Sequence, residues 1–278
     1  MKAVAWLTPL VVEHDFIRWR QWSGVVIAVY LLARAPALTS FIGTWQPVGV
    51  LFWSDGPFPP VMVWVLWSAA LLGSLGLLQP LRVLRFFTPI GAVAALILFT
   101  HRSSGGQILW FDILPALHLL ALAAAGVRFD PLRAGWAMRL AALTTVATYV
   151  LAGIAKLRSG GVAWIADGAL ERQISFSARR FDALGGSPSP IAEWFLDLRG
   201  ASIPLAVGVL AIELGAPLAL LGRRSALVWS IAAWVMHVVI ATTLFVVFHW
   251  PLFGVAFVPL ILVSSANRVG ACNSERFG

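Results

Sequence analysis

The chain contains 18 arginines and only two lysines, Lys2 and Lys156. Lys2 lies at the amino terminus, whereas Lys156 closes a strongly apolar run from Tyr149 to Leu157. Arginine stays protonated in proteins, while a desolvated lysine can lose its proton and act as a base. A single lysine kept at the end of an apolar helix is therefore either a chemical group or a snorkelling cation whose stem lies along lipid. Four more ionisable side chains fall inside apolar stretches: Asp112, His118, Glu213 and His237. Such residues are costly in a membrane, so they must face the bundle interior, pair with one another or line a cavity.

Each has a plainer reading. His118 alone is a core histidine bonded to a backbone carbonyl, Glu213 is glue between helices, and Asp112 pairs with Arg102 or with the Lys156–Arg158 end. His101 and His249 read as ordinary interface residues. Trp22, Trp53, Trp64, Trp67, Trp110 and Trp250 read as interfacial belt or packing. The five ionisable residues on four helices are harder to dismiss together than singly.

The elements that must position them are apolar. Of the 278 residues, 60% are hydrophobic and 12% charged, against about 25% charged in a soluble domain. The composition predicts an all-α, polytopic transmembrane bundle in the cell membrane. The net charge of +8 sits mostly in short loops and signals topology rather than nucleic-acid binding. No segment reads as a cleavable signal peptide, since Glu13, His14 and Asp15 interrupt the first apolar run. Cys272 is the only cysteine, which excludes an internal disulfide and a CxxC pair. No histidines lie at metal-binding spacing, and no glycine-rich phosphate loop or GxSxG elbow occurs, so no metal is expected.

A span needs about 17–25 apolar residues. Eight stretches qualify: 21–38, 61–79, 84–100, 108–126, 136–157, 202–221, 225–246 and 251–265, the last bounded by Pro251 and Pro259. With the amino terminus inside, Arg18 and Arg20, Arg82 and Arg85, Arg128, Arg133 and Arg139, Arg223 and Arg224, and Arg268 and Arg276 share the cytoplasmic side. Both termini are then cytoplasmic and Lys156 is outside. The domain covers 1–267, with a polar tail over 268–278. Its long outer loop, 158–201, predicts two amphipathic helices in the interface. Leu170, Ile174, Ser177 and Phe181 mark the first, Trp194, Phe195 and Leu198 the second, with a Gly-Ser-Pro break at 185–190 between them.

The run from Tyr149 through Ala152-Gly153 to Lys156-Leu157, followed by Trp164 and Asp167-Gly168, resembles the signature of the vitamin K-dependent γ-carboxylase-like family, also called the horizontally transferred transmembrane (HTTM) domain family. Trp19-Arg20, the stretch from Leu210 through Glu213 to Pro217, and the stretch from Met236-His237 to Phe257 are similar to its other segments. The resemblance covers nearly the whole chain and implies a short bacterial member in the inner membrane. It further implies that Lys156 is the base that starts oxidation of a lipophilic quinol, either vitamin K hydroquinone or menaquinol, with oxygen and carbon dioxide at an extracytoplasmic site. The family's large lumenal region is not evident after the last apolar run. Its Asn-His-Ser-Tyr stretch has no match in the run Gly105 to Asp112, where Gln107 or His118 are the available substitutes.

The expectation is thus a carboxylase-like enzyme with Lys156, Glu213 and His237 as catalytic residues. Asp112, His118, Gln107, Tyr149 and Trp164 would line its quinol cavity, and the substrate would be a small peptide, protein or small molecule. The alternative is a non-catalytic membrane partner in peptide or toxin maturation or immunity, or a quinone- or lipid-binding scaffold. Membrane lipid is a partner in either case.

Overall fold

The apolar runs fold largely as helices in the computed structural model. The structure describes residues 11–263 apart from 41–43, 47–48, 105–109 and the single positions 52, 127, 184, 188, 199 and 245. Every regular element among the described residues is helical, with no strand. The α-helices are α1 (Glu13–Ala33), α2 (Ala35–Thr39), α3 (Pro60–Leu75), α4 (Thr88–Ser103), α5 (Trp110–Ala124), α6 (Pro131–Gly160), α7 (Ala163–Ala166), α8 (Ala169–Ala183), α9 (Pro190–Asp197), α10 (Ser202–Leu214), α11 (Arg223–Leu244) and α12 (His249–Leu252).

Eight full-length spans are not what the apolar runs become. Among the described residues three helical segments are long and apolar enough to cross a membrane: Val83–Ser103, Pro131–Gly160 and Arg223–Leu244. The count reaches four if Pro190–Asp197 and Ser202–Leu214, bent by 114°, form one span. The physical reason is that helix breakers interrupt runs of unbroken hydropathy. The run 61–79 gives a helix of 16 residues that ends before Gln79-Pro80. The run 108–126 gives 15 residues containing Pro115. The run 202–221 stops at Leu214, because Gly215 and Pro217 turn the chain into a 3-10 helix. The run 251–265 splits into α12, a series of turns with Gly254 at positive φ, and a short helix over 258–263. At about 1.5 Å per residue, 16 residues cover only about 24 Å of a hydrocarbon layer about 30 Å thick.

The chain divides into two compact units, one comprising residues 1–144 and 255–278 and the other residues 145–254. In the first, α1 buries Phe16, Trp19, Ser23, Ile27, Tyr30 and Leu31, the spacing of one helical face. Arg20 and Arg139, counted above with the cytoplasmic loops, are buried inside helices of this unit. Helices α3 and α4 meet at a glycine pair. A methyl group on Gly91 would lie 2.5 Å from the Gly73 Cα and 2.7 Å from the Ala69 carbonyl oxygen. Only paired glycines allow backbones to approach this closely. Gly91→Leu should therefore cost at least about 1–3 kcal/mol of overpacking, seen as a lowered thermal midpoint in detergent. Gly208→Ala, where an added methyl meets nothing within 4 Å, should not lower the midpoint, since alanine favours a helix interior over glycine.

The second unit contains the latter part of α6 and helices α7 to α12. The two helices expected in the outer loop are present as α8 and α9. Ile174, Ser177 and Ala178 are buried while Arg172 and Arg179 are exposed, so α8 is amphipathic. On α9, Ile191 and Trp194 are exposed, with Glu193 and Asp197 beside them, and Leu198 just past the helix end is exposed too.

Candidate functional site

Tyr149, Gly153 and Lys156 stand at i, i+4 and i+7 on α6 and so share one face. Helix α10 can approach that face because Gly153 has no side chain. A Cβ there would sit 2.8 Å from Leu214 Cδ2 and 3.2 Å from Glu213 Cβ. Lys156 Nζ donates to Glu213 Oε1 at 2.5 Å. The lysine side chain is 28% exposed and the glutamate 7%. Helix α6 runs one turn beyond Lys156 and ends at Gly160, and Gly161 then takes φ +56°. This left-handed turn brings Trp164 back over the helix end, where its ring centroid lies 5.8 Å from Lys156 Nζ.

The second pair lies further along the same face of α6. Tyr149 Oη and His237 Nε2 are 2.6 Å apart and both groups are buried. If the phenol donates, the imidazole proton sits on Nδ1. Phe248 tilts against the His237 ring at 4.8 Å, and Trp229 meets the Tyr149 ring edge-on at 4.8 Å. The two pairs are close enough to interact electrostatically, Glu213 with Tyr149 and Lys156 with His237.

Two polar atoms of this cluster, Glu213 Oε2 and His237 Nδ1, are buried with no hydrogen-bond partner. Orphaned buried atoms of this kind are rare, because each carries its full desolvation penalty. No family model, no curated protein and no solved structure matches the chain. The chemistry must therefore be read from the geometry alone.

The structure brings together Lys156, Glu213, Tyr149, His237 and Trp164, all in the second unit. His118 belongs to the first unit, fully buried, with its ring hydrogen-bonded to the Ala141 backbone and edge-on to Trp19 at 6.1 Å. That is the arrangement of a core histidine. Gln107 lies outside the described residues, and the Asp112 side chain does too. His101 is buried rather than interfacial: it accepts the Phe58 backbone N–H at 3.1 Å and stacks on the Phe58 ring at 5.1 Å. Among the described residues no group of three or more His, Cys, Asp or Glu could hold a metal ion.

Sequence reasoning missed Trp229 and Phe248. One signal was available for Trp229. It lies about two turns before His237 on the same apolar helix, close enough for both to reach one partner across the interface.

The Tyr149–His237 bond carries its own prediction. Tyr149→Phe leaves the shape intact but removes the partner of a buried imidazole nitrogen. The expected destabilisation is about 1–3 kcal/mol, read by denaturant titration, with a changed ¹⁵N resonance for the His237 ring.

Proposed function

We propose that this chain is an integral membrane protein of the γ-carboxylase-like type. In this reading the Lys156–Glu213 and Tyr149–His237 pairs bind a lipophilic quinol and manage its proton. The observation that carries the proposal is the coincidence of two short hydrogen-bonded pairs with two buried unpartnered atoms in one apolar helical unit. Glu213 Oε2 accepts, and His237 Nδ1 can donate, so each offers a bond to a ligand hydroxyl. The aromatic rings of Trp229 and Phe248 supply apolar surface beside them. A quinol fits this set of groups, and when bound it supplies the reducing equivalents for chemistry with oxygen.

The protein's own contribution is proton placement. Lys156 and Glu213 share one proton between Nζ and Oε1, so the pair rather than an isolated amine is the base. In the form with a neutral amine, Oε1–H donates to the Nζ lone pair and no separated charge stands in the membrane, where separated charges are expensive; a hydroxyl proton taken up at Oε2 is then balanced by transfer of the Oε1 proton to Nζ. Tyr149 and His237 hold or pass a second proton between Oη and Nε2. Carboxylation of a peptide, protein or small molecule is the downstream reaction that the family resemblance suggests.

Arg128 just before α6 and Arg133 in its first turn favour the cytoplasmic side for that end. Lys156 then lies at the extracytoplasmic end of the same helix. With a cytoplasmic amino terminus, this orientation needs an even number of crossings ahead of α6. One or three of α1, α3 and α5 must then cross together with Val83–Ser103.

The experiment is oxygen uptake by protein reconstituted in lipid nanodiscs with reduced menaquinone. The proposal expects uptake well above that of empty nanodiscs carrying the same quinol. Equal uptake removes the enzymatic reading. A second reading is favoured by the ion pair itself: Lys156–Glu213 joins two helices and on that ground could serve a non-catalytic scaffold or maturation partner.

A further inference from the structure

Helix α10 ends at Leu214, and the last carbonyls of any helix lack intrahelical partners. Gly215 N–H bonds the Ala211 carbonyl at 2.9 Å, and the chain then enters the 3-10 helix Ala216–Leu220, where Pro217 has no N–H to give. The carbonyl of Ile212 is taken by a side chain from another helix: Trp229 Nε1–H donates to it at 2.9 Å. The same indole packs edge-on against Tyr149, with an interplanar angle of 80°. Glu213 therefore sits between two fixed neighbours. Ile212 is held by Trp229, and Leu214 is pressed against the bare face of Gly153.

We infer that Trp229 is a positioning residue that ties Glu213 to Tyr149, so that the Lys156–Glu213 and Tyr149–His237 pairs move as one unit. Only an indole does both jobs. Phenylalanine and tyrosine offer the ring edge to Tyr149 but no N–H at the required place. Small donors offer the hydrogen bond but not the ring. The carbonyl that Trp229 holds immediately precedes Glu213, so loss of the bond frees the final turn of α10 to unwind and swings the carboxylate away from Lys156. The inference rests on the proposed site only in treating the cluster as functional; its test needs no quinol and no assumed reaction.

The test is NMR of nanodisc-embedded protein labelled with [¹⁵N]lysine and [¹⁵N]histidine. With two lysines and five histidines in the chain, Lys156→Gln and His237→Gln variants assign the two signals. Trp229 is replaced by phenylalanine and, in a second variant, by benzothienylalanine, which keeps the indole shape and lacks the N–H. Both variants should show about tenfold faster hydrogen exchange at Lys156 Nζ, the factor that one hydrogen bond of ordinary strength implies. The ring resonances of His237, on a different helix from Ile212, should shift as well. A role confined to packing would lower the thermal midpoint of the phenylalanine variant while both signals stay in place in the benzothienylalanine variant. That outcome overturns the inference without touching the quinol proposal. Conversely, absent quinol-dependent oxygen uptake with both signals displaced removes the quinol proposal and leaves the coupling standing.

Discussion

Under the proposed function, Lys156→Arg will fold and keep its bond to Glu213, yet lose quinol-dependent oxygen uptake by about 10²–10⁴-fold, the usual contribution of a positioned base. The argument is one of chemistry rather than shape. A guanidinium reaches the Glu213 carboxylate as readily as an ammonium and bonds it better. A snorkelling cation or a helix joint is therefore satisfied by arginine, whereas a proton acceptor is not, because arginine does not deprotonate in proteins. Uptake by the arginine variant within a few-fold of wild type would assign Lys156 to structure alone.

The second large effect comes from treating Lys156 and Glu213 as a pair. Lys156→Met leaves a carboxylate that is only 7% exposed without its partner, and breaking a buried pair in this way costs about 3–5 kcal/mol. Glu213→Leu should cost less, because the lysine side chain is 28% exposed and its ammonium can reach toward water. The double variant Lys156→Met with Glu213→Leu should recover most or all of the lost stability, since apolar replacement of a whole buried pair is often neutral or stabilising. It should show no oxygen uptake. Thermal unfolding of the four proteins in one detergent, beside their activity, checks both halves. A double variant that is stable and still active in the cell would favour the scaffold reading.

Much of this site was legible in the sequence because a charged or titratable residue in an apolar run has few places to go. Lys156, Glu213, His237 and Tyr149 stand out against stretches such as Leu205–Ala211 or Val238–Ala241 that contain no polar group. Their pairing was not legible, since it depends on which faces of α6, α10 and α11 meet. The one local hint was Gly153, a turn before Lys156, whose missing side chain admits α10. Trp229 escaped because the chain has 14 tryptophans and a tryptophan in an apolar helix reads as interfacial by default. His118 shows the opposite error. In the sequence it has the same signature as His237, and only its bond to the Ala141 backbone and its contact with Trp19 reveal a packing role. Hydropathy identified the helical class of the fold but overstated the lengths of its helices. Averaging over a window ignores Pro115, Gly215 and Pro217, each of which ends or weakens the backbone ladder that a span requires.

The most direct measurement is the quinone content of the purified protein, determined by organic extraction and chromatography for wild type, Glu213→Leu and His237→Ala from the same cells. A site completed by Glu213 Oε2 and His237 Nδ1 predicts near-equimolar quinone in wild type and a fall to the level of the surrounding lipid in both variants. The same low quinone content in all three proteins would contradict a quinol site between these helices.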